Sequence, residues 1–182
     1  PQARAALVAA LLAGETPHPD QHTLRRDLDR LGLYWRRSGG QLAQASSGRL
    51  AERVAAQLAG VRSWDEFIQI RVRLDVDAVV PEEVSARLDA LPSSVAIHGD
   101  RVPLDYGVEQ GGGVARLRLR EGQARRLQPR DLPPLDRPLR FTVTRGKHDA
   151  IRADSLDDLR RQLGALGARE RRHVARPGRR RR

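Results

Sequence analysis

The apolar residues of this chain change their spacing once, at Pro92, and the two spacings demand two kinds of structure. Before Pro92 they recur every three or four residues. Leu24, Leu28, Leu31 and Trp35 share one face of a helix over 21–37. Leu50, Val54 and Leu58 do the same for a helix over 49–59 that stops at Gly60. An Ala- and Leu-rich run predicts a further helix over 2–13. Asp20 stands where it would cap the 21–37 helix, and Ser63-Trp64-Asp65-Glu66 has the form of a capping box opening a fourth. Pro81-Glu82-Glu83 opens a fifth, running to about Leu91, with proline and acids in its first turn. The stretch 14–20, with two prolines, and the Gly/Ser-rich loop 38–48 are connectors.

From residue 95 the period is two. Val95 and Ile97, then Val102, Leu104 and Tyr106, alternate with polar residues about a turn at Gly99-Asp100. Gly111-Gly112-Gly113 makes another turn. Ala115, Leu117 and Leu119 alternate next. Residues 121–136 form a connection with one helical turn at 121–127, Phe141 and Val143 mark a last strand, and Leu156, Leu159 and Leu163 stripe a helix over 155–166. The chain therefore reads as α+β. A helical bundle over 1–91 precedes a small β-rich module over 93–166. Four or five short strands suggest an OB-like β-barrel with a C-terminal helix.

Charge is concentrated at the end. The chain has 34 basic residues against 23 acidic ones, a net charge of +11, and only Lys147 among the bases is not arginine. Residues 167–182 hold eight arginines and one glutamate. With so few apolar side chains, this tail is expected to be disordered when free.

Several chemistries are excluded or disfavoured. The absence of cysteine removes disulfides, thiolate metal sites and cysteine nucleophiles. No GxxxxGK[ST], GxSxG or HExxH occurs, so no catalytic residue is assigned. His18 and His22 have a metal-ligand spacing, but Pro19 interrupts any helix there, and a surface role is expected. The acid pairs Asp65-Glu66 and Glu82-Glu83 sit in first helical turns, where capping explains them. The apolar run at 5–13 is too short for a bilayer and follows no basic cluster, so a cytoplasmic protein is expected. The chain begins at Pro1 and contains no Met, which reads as a piece of a longer protein.

Binding signals are stronger. In residues 114–120 Leu117 and Leu119 face one side of a strand while Arg116, Arg118 and Arg120 face the other. Their guanidiniums repeat at roughly 6.7 Å, close to the phosphate spacing of an extended single strand. On the last strand Arg140, Thr142 and Thr144 lie opposite Phe141 and Val143. If the two polar faces adjoin, they form one basic, hydrogen-bonding surface; the alternative is an ordinary solvated sheet face. Arg179, Arg180, Arg181 and Arg182 of the tail add non-specific phosphate affinity. Tyr106 and Phe141 alternate with the apolar set, so they belong to the core and base stacking is not expected. Arg25, Arg26, Arg30, Arg36 and Arg37 make a second basic stretch, largely offset by Asp20, Asp27 and Asp29.

The junction of the two halves resembles a known family. LAGVRSW at 58–64, Leu74-Asp75, ARLDALPSSV at 86–95 and GDRVPLDYGVE at 99–109, with its Pro103-Leu104-Asp105-Tyr106 strand, are similar to the C-terminal region of bacterial DEAH-box helicases of the HrpB and HrpA type. RPLRFTVTRG at 137–146 and SLDDLRRQL at 155–163 resemble that family's closing strand and helix. The resemblance implies an accessory region that guides a single strand, RNA or DNA with RNA favoured, past an ATP-driven motor. ATP and Mg would belong to motor domains elsewhere in the parent chain, and this segment would hold no cofactor. Two functions are therefore expected in competition: single-strand binding beside a helicase motor, or docking to a protein or ribosomal partner with no helicase role.

Overall fold

The computed structural model describes residues 2–110, 112–146 and 149–174. The fold is α+β, with eight α-helices and one five-stranded sheet among the described residues. The chain divides into two compact units: Pro1–Leu91 with Val108–Gly113, and Pro92–Gly107 with the residues from Val114 onward.

The first unit is helical. Its helices are α1 (Gln2–Ala13), α2 (Gln21–Arg37), α3 (Ser47–Gln57), α4 (Trp64–Gln69), α5 (Val76–Val79) and α6 (Glu82–Asp89), with a 3-10 turn at Ala43–Ala45. Leu11, Leu24, Leu31, Val54, Leu58 and Phe67 are buried where their faces meet. Ser63 caps α4 by accepting from the Glu66 N–H at 3.2 Å, while the Glu66 carboxylate accepts from the Arg62 N–H at 2.7 Å. The helix α5 is absent from the sequence reading. It is a single turn, held by the Asp75 carboxylate accepting from Asp77 and Ala78 N–H, and one turn carries too little periodicity to be seen.

Two expectations about the connector at 14–20 are corrected. Asp20 does not cap α2 with its side chain. Its carboxylate accepts instead from the Val72 N–H at 3.0 Å and from Arg71 at 3.2 Å. His18 is buried rather than at the surface. Its Nδ1 accepts from the Asp20 N–H at 3.1 Å, so its Nε2 carries the hydrogen donated to the Phe67 carbonyl at 3.1 Å. Both side chains tie the start of α2 to residues that follow α3.

At the end of α2 the chain turns through Gly39. Its φ is +68°, and a Cβ placed there would stand 2.9 Å from the Cα of Gly113 within the same unit. Only a glycine permits both the left-handed backbone and that approach.

The second unit is built on the sheet. Its elements are β1 (Ser94–Ile97), β2 (Asp100–Glu109), β3 (Gly112–Arg120), α7 (Glu121–Arg126), a 3-10 turn at Pro129–Asp131, β4 (Leu139–Arg145), β5 (Asp149–Ala153) and α8 (Leu156–Val174). The tip of the β2–β3 hairpin, Val108–Gly113, groups with the helical unit. His98 at φ 51° and Gly99 at φ 85° make the turn between β1 and β2, where two successive positive φ values match the strand twist. Only residues 110–111 join β2 to β3, which permits antiparallel pairing alone.

The expected barrel does not form. The strand order is β1-β2-β3-β4-β5, an open sheet with β1 and β5 at its margins. The connection 121–138, which contains α7, lets β4 run parallel to β3, and β5 then returns antiparallel to β4. Leu117, Leu119, Phe141, Val143 and Ile151 are buried on one face, and α8 covers β4 and β5 with Leu159 and Leu163. Beyond the strand expected at Phe141 and Val143 the sheet gains one more, β5. The last helix, expected over 155–166, continues as α8 to Val174, into the stretch expected to be disordered. The remaining tail residues, including Arg179, Arg180, Arg181 and Arg182, lie outside the described residues.

Candidate nucleic-acid interface

The two polar faces singled out in the sequence adjoin. Parallel pairing sets Arg116 beside Arg140, Arg118 beside Thr142 and Arg120 beside Thr144. Because parallel strands keep the same direction, residues two apart on β3 stay matched to residues two apart on β4. The antiparallel partner β5 adds Arg152 beside Thr142. A row of Arg118, Thr142 and Arg152 therefore crosses three strands.

Carboxylates stand within this surface. Arg118 is ion-paired with Asp105 of β2, and Arg140 with Asp154 after β5. Asp105 belongs to the same Pro103-Leu104-Asp105-Tyr106 strand on which the family resemblance rests. The Arg118 side chain remains 65% exposed and Asp105 45% exposed. An ion pair so open to water is worth about 0–1 kcal/mol, so a competing anion displaces it readily. Arg140 is more enclosed, with 26% of its side chain exposed. Arg116 is half-buried, whereas Arg120 and Arg152 are exposed. Neither Arg120 nor Arg152 forms an ion pair among the described residues. The Thr144 hydroxyl donates to the Leu119 carbonyl at 3.3 Å, so its donor is already used within the sheet.

Neighbouring arginines are held away from this role. Arg145, at the end of β4, donates to Glu121 at 2.8 Å, and Arg125 donates to the same carboxylate. The Arg125 and Arg145 guanidiniums hold the Glu121 carboxyl below the usual glutamate range. Arg137 donates to both oxygens of Asp136 and lies 5.3 Å from the Tyr106 ring centre. Tyr106 is buried and donates its hydroxyl to the Pro92 carbonyl at 2.9 Å; Phe141 is buried too. Neither aromatic ring belongs to the open face.

Comparison with family models, with curated proteins and with solved structures finds no match.

Part of the second basic stretch, on α2, is committed internally, while Arg36 is exposed. Arg37 is buried and donates to the Leu88 carbonyl at 2.8 Å. Arg30 donates to the Tyr34 hydroxyl, which donates onward to Asp89. Arg25 pairs with Asp29 and Arg26 with Asp27. The Arg37 and Tyr34 contacts secure α2 against α6, whereas the Arg25 and Arg26 side chains, 61% and 71% exposed, are as open to a competing anion as Arg118.

Arg152 is the interface residue absent from the sequence reading. Its signal is short: Ile151 and Ala153 are buried and alternate with Ala150 and Arg152. Burial alternates over only the four residues 150–153, too brief a run to set them apart in sequence from the helix that follows.

Proposed function

We propose that the open face of β3, β4 and β5 binds the sugar–phosphate backbone of single-stranded nucleic acid, with little preference for sequence. The chain would serve as an accessory region of a DEAH-type helicase, and RNA is the favoured strand. In this reading the open sheet takes the guiding role that the sequence assigned to an OB-like barrel. The side-by-side register of Arg116, Arg118 and Arg120 with Arg140 and Thr142 carries the proposal. Planar guanidiniums at a regular repeat suit phosphates, each offering several donors in a fixed fork. No aromatic ring joins the face among the described residues, so affinity would come from charge neutralisation and would be nearly independent of base identity. Arg120 and Arg152 would engage phosphate directly, and Arg118 would exchange Asp105 for phosphate.

Fluorescence anisotropy of labelled oligouridylate and oligothymidylate, at low salt and with the full chain, tests this. Reversal of Arg116 and Arg118 to glutamate is expected to weaken binding of every sequence by a similar factor, about tenfold or more, and to flatten the salt dependence. Unchanged affinity in that variant sinks the assignment. The helicase association has its own test. Two RecA-like motor domains encoded in frame ahead of Pro1 support it, and an initiation codon at that point with no motor removes it.

A further inference from the structure

We propose that the groove between α1 and α4 of the helical unit docks an acidic segment of a partner protein, seated by one or two large apolar side chains. The groove encloses about 660 Å³ and is lined from both helices and the Leu58–Ser63 connection. Leu7, Leu58, Val61 and Phe67 form its apolar surface. Trp64 lines it too, 55% exposed, the one large apolar side chain left exposed among the described residues. Its ring lies 5.2 Å from that of Phe67, which is itself buried, so the groove continues into the core. An indole in that position forfeits the stabilisation that burial of its large apolar surface would bring, and a docked apolar side chain restores it.

The polar groups of the lining select the occupant. Arg4 and Arg62 are both exposed, and no acidic side chain lines the groove among the described residues. Neither guanidinium forms an ion pair among the described residues. Two cations beside an apolar floor complement carboxylates that flank an apolar anchor. A nucleobase fits less well, because its edges need hydrogen-bonding partners inside the cleft. The Ser63 hydroxyl and the Arg62 N–H beside Trp64 are already engaged with Glu66 in the cap of α4. Exposed Trp and Arg beside an apolar cleft are also the residue types that dominate protein–protein affinity. This site shares no residue with the sheet face and does not rest on the nucleic-acid reading.

The probe is a short synthetic peptide with phenylalanine and leucine anchors set among glutamates, compared with a twin in which lysines replace the glutamates. Trp64 emission in the full chain reports binding. The glutamate peptide is expected to shift that emission to the blue in a saturable way and to bind about three- to tenfold tighter than its twin. The shift disappears in Trp64→Phe, which separates it from Trp35. In Arg4→Glu/Arg62→Glu, an exposed double change, the preference inverts toward the lysine peptide. The sheet variant with Arg116 and Arg118 reversed binds the glutamate peptide unchanged. Equal response to both peptides, no response, or saturable quenching by oligouridylate that the peptide cannot displace each overturns the proposal.

Discussion

Replacing Asp20 by alanine removes the acceptor from the Val72 N–H and from Arg71, two contacts that reach more than fifty residues along the chain. A buried N–H left without a partner costs about 1–3 kcal/mol, so denaturant unfolding of Asp20→Ala is expected to show a loss of that size. The Val72 N–H is the main reason the Asp20 carboxyl lies below its ordinary value of 3.8. The folded state therefore binds that proton less readily than the unfolded chain. This contribution to stability is complete above the ordinary value and fades as pH falls through the lower folded value. The acid-induced loss of stability below about pH 4 should accordingly be shallower in Asp20→Asn than in the parent, as followed by circular dichroism. Gly39→Ala meets both a positive φ and the Gly113 backbone; the φ alone costs about 1–2 kcal/mol, readable in the same unfolding measurement. In the sequence Asp20 looked like a local cap and Gly39 like a loop filler. Their partners lie far along the chain, and spacing between neighbours carries no trace of them.

A long apolar stripe made α2 legible although its expected cap, Asp20, bonds elsewhere, and the capping box alone marked the start of α4. Ser63→Ala is expected to destabilise the first unit by about 1 kcal/mol and to alter Trp64 emission, since the cap sets the first turn on which the indole stands. Two of the shortest elements, α5 and β5, were not legible, although the single turn of α7 and the four-residue β1 were. Strand pairing was harder still. Alternation revealed which face of each strand is polar, yet the neighbour of β3 depends on how 121–138 crosses over, and nothing local encodes that. The addition of β5 to the face has a direct check. Arg152→Glu should weaken single-strand binding by about threefold at low salt, comparably to Arg118→Glu. An unaffected affinity would confine the contact to β3 and β4.

Across the whole chain, a net charge of +11 attracts any polyanion, so selectivity must be judged by salt response rather than affinity alone. If about three phosphates are neutralised, raising salt from roughly 50 to 200 mM should lower single-strand affinity about twentyfold. A much steeper slope in the full chain than in one ending at Val174 would assign the excess to the arginines beyond it. The order of strands in the sheet follows their order in the chain. Loop closure is easy for nearly every ladder, because only two or three residues of sequence separate β1 from β2, β2 from β3 and β4 from β5. The parallel ladder of β3 with β4 alone must wait for 121–138 to be folded back, the largest entropic hurdle in assembling the sheet. That ladder is also what brings the two rows of cationic side chains abreast. A chain stalled during refolding would thus hold complete hairpins and yet be unable to grip a polyanion, and recovery of oligonucleotide affinity should lag behind recovery of strand signal.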